Sequence, residues 1–256
     1  MELQRILDAA ADIAPLHHAE GWDNVGLLVG DPAQDVRKAM LTIDYTPEVA
    51  REAQAAGCQL VLCYHPPIFQ GLKRITAGSL VYDALRRGMA LYSFHTALDV
   101  AGGGTNDVLA DALGLTDRGA LRMGKTPDLP GMGRIGTRSA ISRRALVDLV
   151  KSALELPHVL VAGPLDGEVT RAACCAGACG DILEEAIKQR AEVYLTGEMR
   201  HHDALKLAAL GMTVICTLHS NSERAVLRRL KDKLAARVPS LEMVISQQDR
   251  DPFQWV

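Results

Sequence analysis

The sequence contains few aromatic residues and no long apolar run. Phe, Trp and Tyr make up 4% of the 256 residues, and this scarcity beside abundant Ala, Leu and Val is typical of alternating helices and strands. No apolar stretch approaches the ~20 residues that a membrane helix requires. The N-terminus starts with an amphipathic pattern (Leu3, Ile6, Ala10) and lacks the basic segment and apolar core that mark secretion. We therefore expect a cytoplasmic protein without a membrane partner.

The sequence also lacks three signals that would indicate specific functions. A net charge of -3 leaves no basic footprint, so we expect no nucleic-acid partner. No G-x-S-x-G motif occurs, which argues against a nucleophilic serine. The cysteines fall mostly in apolar runs and show no two-residue spacing of a zinc knuckle or redox pair, which predicts buried reduced thiols. They are Cys58, Cys63, Cys174, Cys175, Cys179 and Cys216.

The chain instead shows a regular alternation of helical and strand patterns. In the first half the pattern predicts helices at 2–14, 47–56, 79–87 and 106–114, and strands at 38–44, 59–64 and 89–94. In the second half it predicts helices at 142–154, 181–190, 201–210 and 221–236, and strands at 132–138, 158–162, 168–176, 192–196, 212–218 and 241–247. Strands such as Leu60-Val61-Leu62-Cys63 are apolar on both faces, as in a sheet that helices cover on both sides. The predicted class is α/β, with mostly parallel or mixed sheets.

Only the segment 115–135 has the composition of a linker, with several Gly and Pro residues. We therefore predict two similar α/β domains, one over residues 1–120 and one over 121–256. The C-terminal residues could return to the first domain.

Three apolar runs are each followed by a histidine. Two of these histidines have a carboxylate four residues later, and the third follows a tyrosine. The motifs are Tyr64-His65-Pro66-Pro67, His95-Thr96-Ala97-Leu98-Asp99 and His219-Ser220-Asn221-Ser222-Glu223. In open α/β folds ligands gather at the carboxyl ends of strands, and imidazole with carboxylate binds divalent metals. His219 and Glu223 are one helical turn apart, so both can face one point. Alternatively, a single histidine at a strand end is simply solvated or bonded to the backbone.

Three other motifs allow both a functional and a structural interpretation. His202, in His201-His202-Asp203, is a candidate for orienting a metal ligand or contacting substrate, or it merely begins a helix. Gly102-Gly103-Gly104 could cradle a phosphate or form a tight turn with Thr105 as the helix cap; no P-loop lysine follows. Gly177 and Gly180 join a strand to a helix with the same ambiguity.

Taken in order, these motifs resemble the Nif-three-like family, the dinuclear-metal proteins often called GTP cyclohydrolase I type 2 homologues. The resemblance spans nearly the whole chain, in the short form that lacks an inserted domain. It rests on the three histidine motifs together with Glu20-Gly21-Trp22-Asp23-Asn24-Val25-Gly26-Leu27 and Thr196-Gly197-Glu198.

The resemblance implies two α/β domains with two divalent ions in the cleft between them, and a ring-shaped homohexamer; the presence of Tyr64 leaves one or two ions as the expectation for this chain. The metal ligands would be His65, Asp99, His219 and Glu223, with Glu223 bridging both ions. Many members carry two consecutive histidines where this chain has Tyr64-His65. A tyrosine with a pKa near 10 is a poor ligand at neutral pH. Tyr64 and His95 are therefore candidates either for ligation or for orienting a ligand. Zn, Mn, Fe and Co are not distinguished by these ligand types.

The leading functional hypothesis is a metal-dependent hydrolase that activates water and acts on a small molecule, either the guanine ring of GTP or a phosphoester. The alternatives are a protein that stores or delivers metal and a ring-shaped adaptor with a structural metal. Glu20 and Asn24 are candidates for substrate contact. The other interpretation of this segment is an Asx turn at Asp23-Asn24 with Trp22 packed on the core.

Overall fold

The computed structural model describes residues 1–124, 126, 129–178 and 180–254. Within them the chain divides into two compact units. The first unit comprises Met1–Gly102 and Leu227–Pro252, and the second comprises Gly103–Val226 together with the C-terminal end. Each unit is built on one sheet. The chain thus leaves the first unit once and returns to it near the C-terminus.

The sheet of the first unit has five strands in the order β1-β4-β3-β2-β11. Strand β1 is antiparallel to β4, and the other neighbours are parallel. The strands are β1 (Gly26–Val29), β2 (Lys38–Thr42), β3 (Leu60–Cys63), β4 (Ala90–Ser93) and β11 (Glu242–Ile245). Every residue of β3 and β4 is buried, as their unbroken apolar sequences predict.

Helices of the first unit connect and cover these strands. They are α1 (Leu3–Ile13), α2 (Pro47–Ala55), α3 (Leu80–Arg86), α4 (His95–Val100) and the long α10 (Val226–Arg237), which begins at the last residue of the second unit. Helix α2 starts with a side-chain cap, since Thr46 accepts a hydrogen bond from the backbone of Val49 and Pro47 occupies the first turn, a position that suits proline.

The sheet of the second unit has six strands in the order β5-β6-β8-β9-β10-β7. Strands β8, β9 and β10 run parallel, whereas β5, β6 and β7 pair in antiparallel fashion. The strands are β5 (Thr116–Arg122), β6 (Met132–Ser142), β7 (Leu160–Ala162), β8 (Glu168–Cys175), β9 (Val193–Thr196) and β10 (Thr213–Cys216). The helices are α5 (Thr105–Ala112), α6 (Arg143–Ala153), α7 (Leu183–Lys188), α8 (His201–Ala209) and α9 (Asn221–Arg224).

Both faces of the second sheet are covered by a hydrophobic cluster. Val193, Leu195 and Ile215 belong to one cluster, and the alternating neighbours Tyr194 and Val214 belong to the other. Because successive strand residues point to opposite faces, the central parallel strands are buried on both sides. The predicted α/β class with helix-covered mixed sheets is confirmed.

Several boundaries differ from the sequence-based predictions. The sequence places the domain change after residue 120, whereas the units divide at Gly102 because α5 contacts β6 and β8. The predicted linker 115–135 contains β5 and the start of β6, which pair with each other. Strand β1 was not predicted. The predicted helix 221–236 consists of α9 and α10, and neither Ser220 nor Ser222 caps it through its side chain.

The glycine run before α5 forms a turn. The helix is preceded by Gly104, so the predicted cap at Thr105 is wrong. The backbone N–H of Gly103 donates to the Asp107 carboxylate at 2.6 Å, and Arg134 in turn binds the same carboxylate. An internal side chain thus satisfies an amide that a phosphate would otherwise use.

The described cysteines are free thiols. Four of them are buried, and Cys216 is partly exposed; Cys179 lies outside the described residues. Burial raises the pKa of Cys63 far above its ordinary value, which makes a reactive thiolate unfavourable. None of the helices in the described ranges combines the length and the apolar character that a bilayer span requires.

Candidate metal centre

In the first unit, His65 lies just beyond the carboxyl end of β3. The parallel ladder continues past the strand, since the backbone of Tyr64 donates to Thr42 at 2.8 Å and that of His65 to Ile43 at 3.0 Å. The same extension places Asp44, beyond β2, next to the imidazole. His65 Nδ1 lies 2.9 Å from Asp44 Oδ1. The carboxylate therefore fixes the orientation of the ring.

His95 is held in the same way at the end of β4. It adopts a left-handed backbone conformation with φ 32°, which costs of order 1–3 kcal/mol for a residue other than glycine. Its Nδ1 lies 2.7 Å from Asp23 Oδ1, and the Asp23 side chain is fully buried. Burial alone would raise the pKa of Asp23, but hydrogen bonds from His95 and Thr96 outweigh it and lower the pKa.

Tyr64 and Asp99 are joined by a direct contact. Tyr64 is almost completely buried, and its phenol donates a short hydrogen bond to Asp99 Oδ1. The tyrosine ring also lies edge-on to His65 and His95, with centroids 5.2 and 6.0 Å away. Tyr64 thus orients the carboxylate that the sequence predicts as a ligand.

In the second unit, His219 and Glu223 face each other across one helical turn. His219 follows β10, and Leu218 before it has a left-handed φ of 73°. His219 Nδ1 lies 2.9 Å from Glu198 Oε1, and its Nε2 lies 3.5 Å from Glu223 Oε1. Glu223 is buried, whereas the His219 side chain is 40% exposed.

Two glycines make room for this pair. A Cβ on Gly177 would lie 3.0 Å from Glu223 Oε1 and 3.3 Å from His219 Nε2. A Cβ on Gly197 would lie 2.7 Å from the carbonyl oxygen of Gly177 and 3.0 Å from the Cα of His219. Gly177 also has a φ of 67°. Gly177 approaches the candidate ligand atoms and Gly197 approaches the backbone that carries His219, which explains glycine at both positions. The sequence left Gly177 ambiguous.

Three histidines share one arrangement that suits metal binding. In His65, His95 and His219 the nitrogen next to a carboxylate is Nδ1. We assign the proton to Nδ1 on this basis, so the lone pair of the neutral ring is on Nε2. A carboxylate behind the imidazole is the usual support of a metal-bound histidine.

The distance between His219 Nε2 and Glu223 Oε1 also fits a shared ion. Bonds of about 2.0–2.2 Å to one tetrahedral ion place two ligand atoms roughly 3.4 Å apart, close to the 3.5 Å observed. Without a cation or a second proton on the ring, two lone pairs would face each other here. The donor set of the second unit therefore fits a divalent metal ion.

The remaining predicted residues lie in other surroundings. His202 is exposed in the first turn of α8 and lies edge-on to His201. Asn24 donates its side-chain amide to the carbonyl of Ile68 at 2.6 Å, and Glu20 donates its backbone N–H to Thr96 Oγ1 at 3.0 Å. The first hydrogen bond joins two loops, and the second joins a loop to helix α4. Trp22 is not packed on the core, because 59% of it is exposed.

The sequence did not identify the three supporting carboxylates, Asp23, Asp44 and Glu198, as partners of the histidines. Two of them follow a simple rule: Asp44 and Glu198 lie two residues beyond the ends of β2 and β9, as His65 does beyond β3. A search for carboxylates at strand ends, and not only for histidines, would have found them. Asp23 lies in a loop before β1 and offers no such signal.

A cavity of about 640 Å³ in the second unit borders Glu198 on the side of α7 and α8. Acidic side chains dominate its polar lining, with Asp181, Glu184 and Asp203 beside Arg200. Such a lining disfavours a phosphate group.

Comparison with known proteins decides the family. The family model described as Duf34/NIF3 (NGG1p interacting factor 3) matches residues 1–252. The chain belongs to the Duf34/NIF3 family. It is similar to a Clostridium perfringens protein named GTP cyclohydrolase 1 type 2 homolog, at 32% identity over 100% of both chains. It is also similar to human NIF3-like protein 1, at 30% identity over 100% of this chain and 93% of the human protein.

The alignments also show that this Duf34/NIF3 member is a short form. The alignment with the human protein runs over 353 positions and that with the C. perfringens protein over 264. The human protein therefore carries segments that this chain lacks. Among solved structures, a Bacillus cereus protein related to NIF3 has the same fold, with a TM-score of 0.91 at 22% identity over 100% of this chain and 99% of that one.

Proposed function

We propose that this Duf34/NIF3 protein is a divalent-metal-dependent hydrolase with a one- or two-ion centre. The ligands would be His65 and Asp99 from the first unit and His219 and Glu223 from the second. The observation that carries the proposal is the shared arrangement of the histidines, whose Nδ1 atoms lie 2.7–2.9 Å from carboxylates. A solvated or backbone-bonded histidine does not need such a partner.

A bound divalent ion would supply Lewis acidity and lower the pKa of water towards ~7. The protein's own residues do the rest. Asp44 and Glu198 hold the imidazoles of His65 and His219 in one tautomer and one direction. The phenol of Tyr64 donates a hydrogen bond to Asp99, which restricts the orientation of that carboxylate. We propose that Tyr64 orients a ligand and does not itself bind the ion.

Two substrate classes are compatible with this chemistry. The name of the C. perfringens relative, GTP cyclohydrolase 1 type 2 homolog, favours attack on the guanine ring of a nucleotide. A phosphoester is the alternative, because metal-bound hydroxide also attacks phosphorus. We propose a ring-shaped homohexamer as the assembly, which the mass of the purified protein in multi-angle light scattering will test.

A second candidate function is metal storage or delivery. The 40% exposure of His219 favours it, because an exposed ligand exchanges its metal readily. A labile ion without turnover would distinguish this function from hydrolysis.

Turnover tests the hydrolase proposal. Purified protein loaded with Mn²⁺, Zn²⁺ or Fe²⁺ should turn over GTP or a phosphoester; if it turns over neither, the hydrolase proposal is wrong.

Metal content tests the ligand assignment directly. The parent, His219→Ala and Glu223→Ala are compared by elemental analysis after loading and dialysis, with His158→Ala as the control because it removes an exposed histidine of the same unit. We expect the first two variants to lose metal and the control to retain it. Retention of the parent metal content by both ligand variants would refute the assignment.

The metal-to-protein ratio of Tyr64→His, compared with that of the parent, tests whether an imidazole at this position adds an ion.

A further inference from the structure

Two exposed aromatic side chains lie beside His95 in the first unit. Trp22 is 59% exposed and Phe69 is 50% exposed. Their ring centroids are 5.9 Å apart with a tilt of 50°. His95 presents its ring to both, 5.9 Å from Trp22 and 6.3 Å from Phe69. The three rings form one cluster, which we call the aromatic platform.

The backbone around Trp22 is fixed on both sides. Trp22 occupies a turn in which the N–H of Asp23 donates to the carbonyl of Glu20 at 2.9 Å. Glu20 is tied to Thr96 Oγ1, and the Asp23 carboxylate accepts hydrogen bonds from both the backbone and the hydroxyl of Thr96. The indole is therefore presented on an ordered turn.

The segment that carries Phe69 is joined to the same frame. Asn24 donates its amide to the carbonyl of Ile68, one residue before Phe69. A single exposed aromatic residue needs no explanation. A pair that partly buried hydrogen bonds hold against a histidine at a candidate metal site is different, because pre-organised aromatic surface lowers the cost of binding a flat ligand.

Two basic residues follow Phe69 in the sequence and indicate the rest of the ligand. Lys73 and Arg74 are exposed and follow Phe69 by four and five residues in the same loop. Aromatic faces accept planar rings of any base, and nearby basic residues bind phosphate. The cavity beside Glu198, in contrast, has an acidic lining.

We propose that the aromatic platform binds a planar heteroaromatic ring of nucleotide type, with Lys73 and Arg74 binding its phosphate. This inference rests on the proposed function and assigns the binding of the ring to Trp22 and Phe69. It adds two binding residues, Trp22 and Phe69, that lie outside the ligand set. His95 connects the platform to the other candidate residues of the first unit, because its ring centroid also lies 5.3 Å from that of His65 and 6.0 Å from that of Tyr64.

Fluorescence titration of the full-length, metal-loaded protein tests the proposal. The sequence holds two tryptophans, Trp22 and Trp255, so Trp255→Phe leaves Trp22 as the reporter. The probes are GMP, guanosine and ribose 5-phosphate. We expect GMP and guanosine to quench Trp22, GMP to bind more tightly, and ribose 5-phosphate to leave the emission unchanged.

Variants then separate stacking from general apolar contact, with affinity measured by calorimetry. Because stacking on an aromatic residue contributes to affinity, Trp22→Leu should weaken GMP binding about 5- to 100-fold, and Trp22→Phe should weaken it less. The matched control is Leu72→Ala. It removes an apolar side chain that is 49% exposed in the loop that carries Phe69, and it should leave the affinity for GMP unchanged. Lys73→Ala with Arg74→Ala should weaken GMP but not guanosine.

Several results would overturn the inference: no quenching by either ring ligand, equal GMP affinity in Trp22→Leu and the parent, or an equal loss in Leu72→Ala. Shielding of Trp22 from acrylamide in the native assembly would also overturn it, since a second copy would then cover the platform. Metal content is measured on every variant. A parent that holds no metal contradicts the proposed function, whereas metal-loaded protein without ring binding contradicts only this inference.

Discussion

The two units support their histidines with the same device but make space for them in different ways. In the first unit, aromatic rings surround the candidate ligands, and Tyr64, His65 and His95 lie edge-on with centroids 5.2–6.0 Å apart. In the second unit, Gly177 and Gly197 clear the space. The carboxylate next to the imidazole Nδ1 is therefore the feature that both units share. The residues that surround each histidine differ because the two units are packed differently.

The largest effect is expected where glycine clears the space. Gly197→Ala places a Cβ 2.7 Å from a backbone carbonyl and 2.8 Å from Ser222 Oγ, so we expect a loss of about 2–3 kcal/mol in the free energy of unfolding, with loss of metal. Urea denaturation and elemental analysis measure both. The control is Gly119→Ala in the same unit, whose Cβ meets open space. Equal stability of the two variants would show that Gly197 is not needed for packing.

The carboxylates behind the histidines give the next largest effect. Asp44→Asn and Glu198→Gln each replace the acceptor at Nδ1 of a candidate ligand, and such a change weakens metal affinity by roughly 10- to 100-fold. Competition with a chromogenic chelator measures the affinity. Asp166→Asn, which alters a carboxylate whose side chain is 94% exposed, should leave it unchanged. A loss in one unit only would break the proposed equivalence of the two.

The sequence predicted the layout of the strands better than the surroundings of the site. Continuous apolar runs located β3, β4 and β9 because burial on both faces leaves a clear pattern. It failed at β5, which lies in the segment 115–135 that was taken as a linker. This strand pairs with β6, which the sequence predicted over 132–138, and the two approach closely at Gly131 and Gly136. A Cβ there would lie 2.3 and 2.5 Å from a backbone oxygen of the neighbouring strand. Glycine marks close approach as well as flexibility.

Of the candidate site, the sequence located the histidines but not their partners. The pairing of His95 with Asp23 joins residues 72 positions apart, and no local pattern encodes such a contact. The left-handed backbone of Leu218 is likewise invisible, since leucine rarely adopts it. Tyr64 is a further case. The sequence marked it as a departure from the family pattern, and only the fold shows its hydrogen bond to Asp99.

In each unit a buried serine bonds a backbone carbonyl at the candidate site, that of Tyr64 in the first unit and that of His219 in the second, which offers a finer comparison. Ser93 Oγ donates to the carbonyl of Tyr64 at 2.9 Å, whereas Ser222 Oγ both donates to the carbonyl of His219 at 2.6 Å and accepts from the N–H of Gly177 at 2.8 Å.

We expect Ser222→Ala to cost about 1–3 kcal/mol, because it leaves a buried amide without its acceptor. Ser93→Ala should cost about 1 kcal/mol. Urea midpoints rank the two variants, and the reverse order would contradict this account. Metal content should fall more in Ser222→Ala, since its hydroxyl positions both Gly177 and His219.

The smallest effect concerns pH, and it separates the units without touching either candidate ligand set. Burial alone would raise the pKa of Glu52 and of Glu192. Hydrogen bonds outweigh this effect, so both pKa values lie below the ordinary value of a glutamate. Glu52 accepts from Ser246, Gln247 and Gln248, near the C-terminal return to the first unit. Glu192 accepts from Thr170 and Arg171 in β8 of the second unit.

A pKa that is lowered by folding stabilises the protein above its unfolded value and ceases to do so as the pH falls through the folded pKa. Glu52→Gln and Glu192→Gln should therefore each lower the free energy of unfolding at pH 6 by about 1 kcal/mol or less, and the difference from the parent should shrink below pH 4. Glu168→Gln at the exposed start of β8 is the control. A difference that grows towards low pH would have the wrong sign. If Glu52→Gln shifts unfolding of the first unit alone, as followed by hydrogen exchange, the return of residues 227–252 stabilises that unit independently of the second.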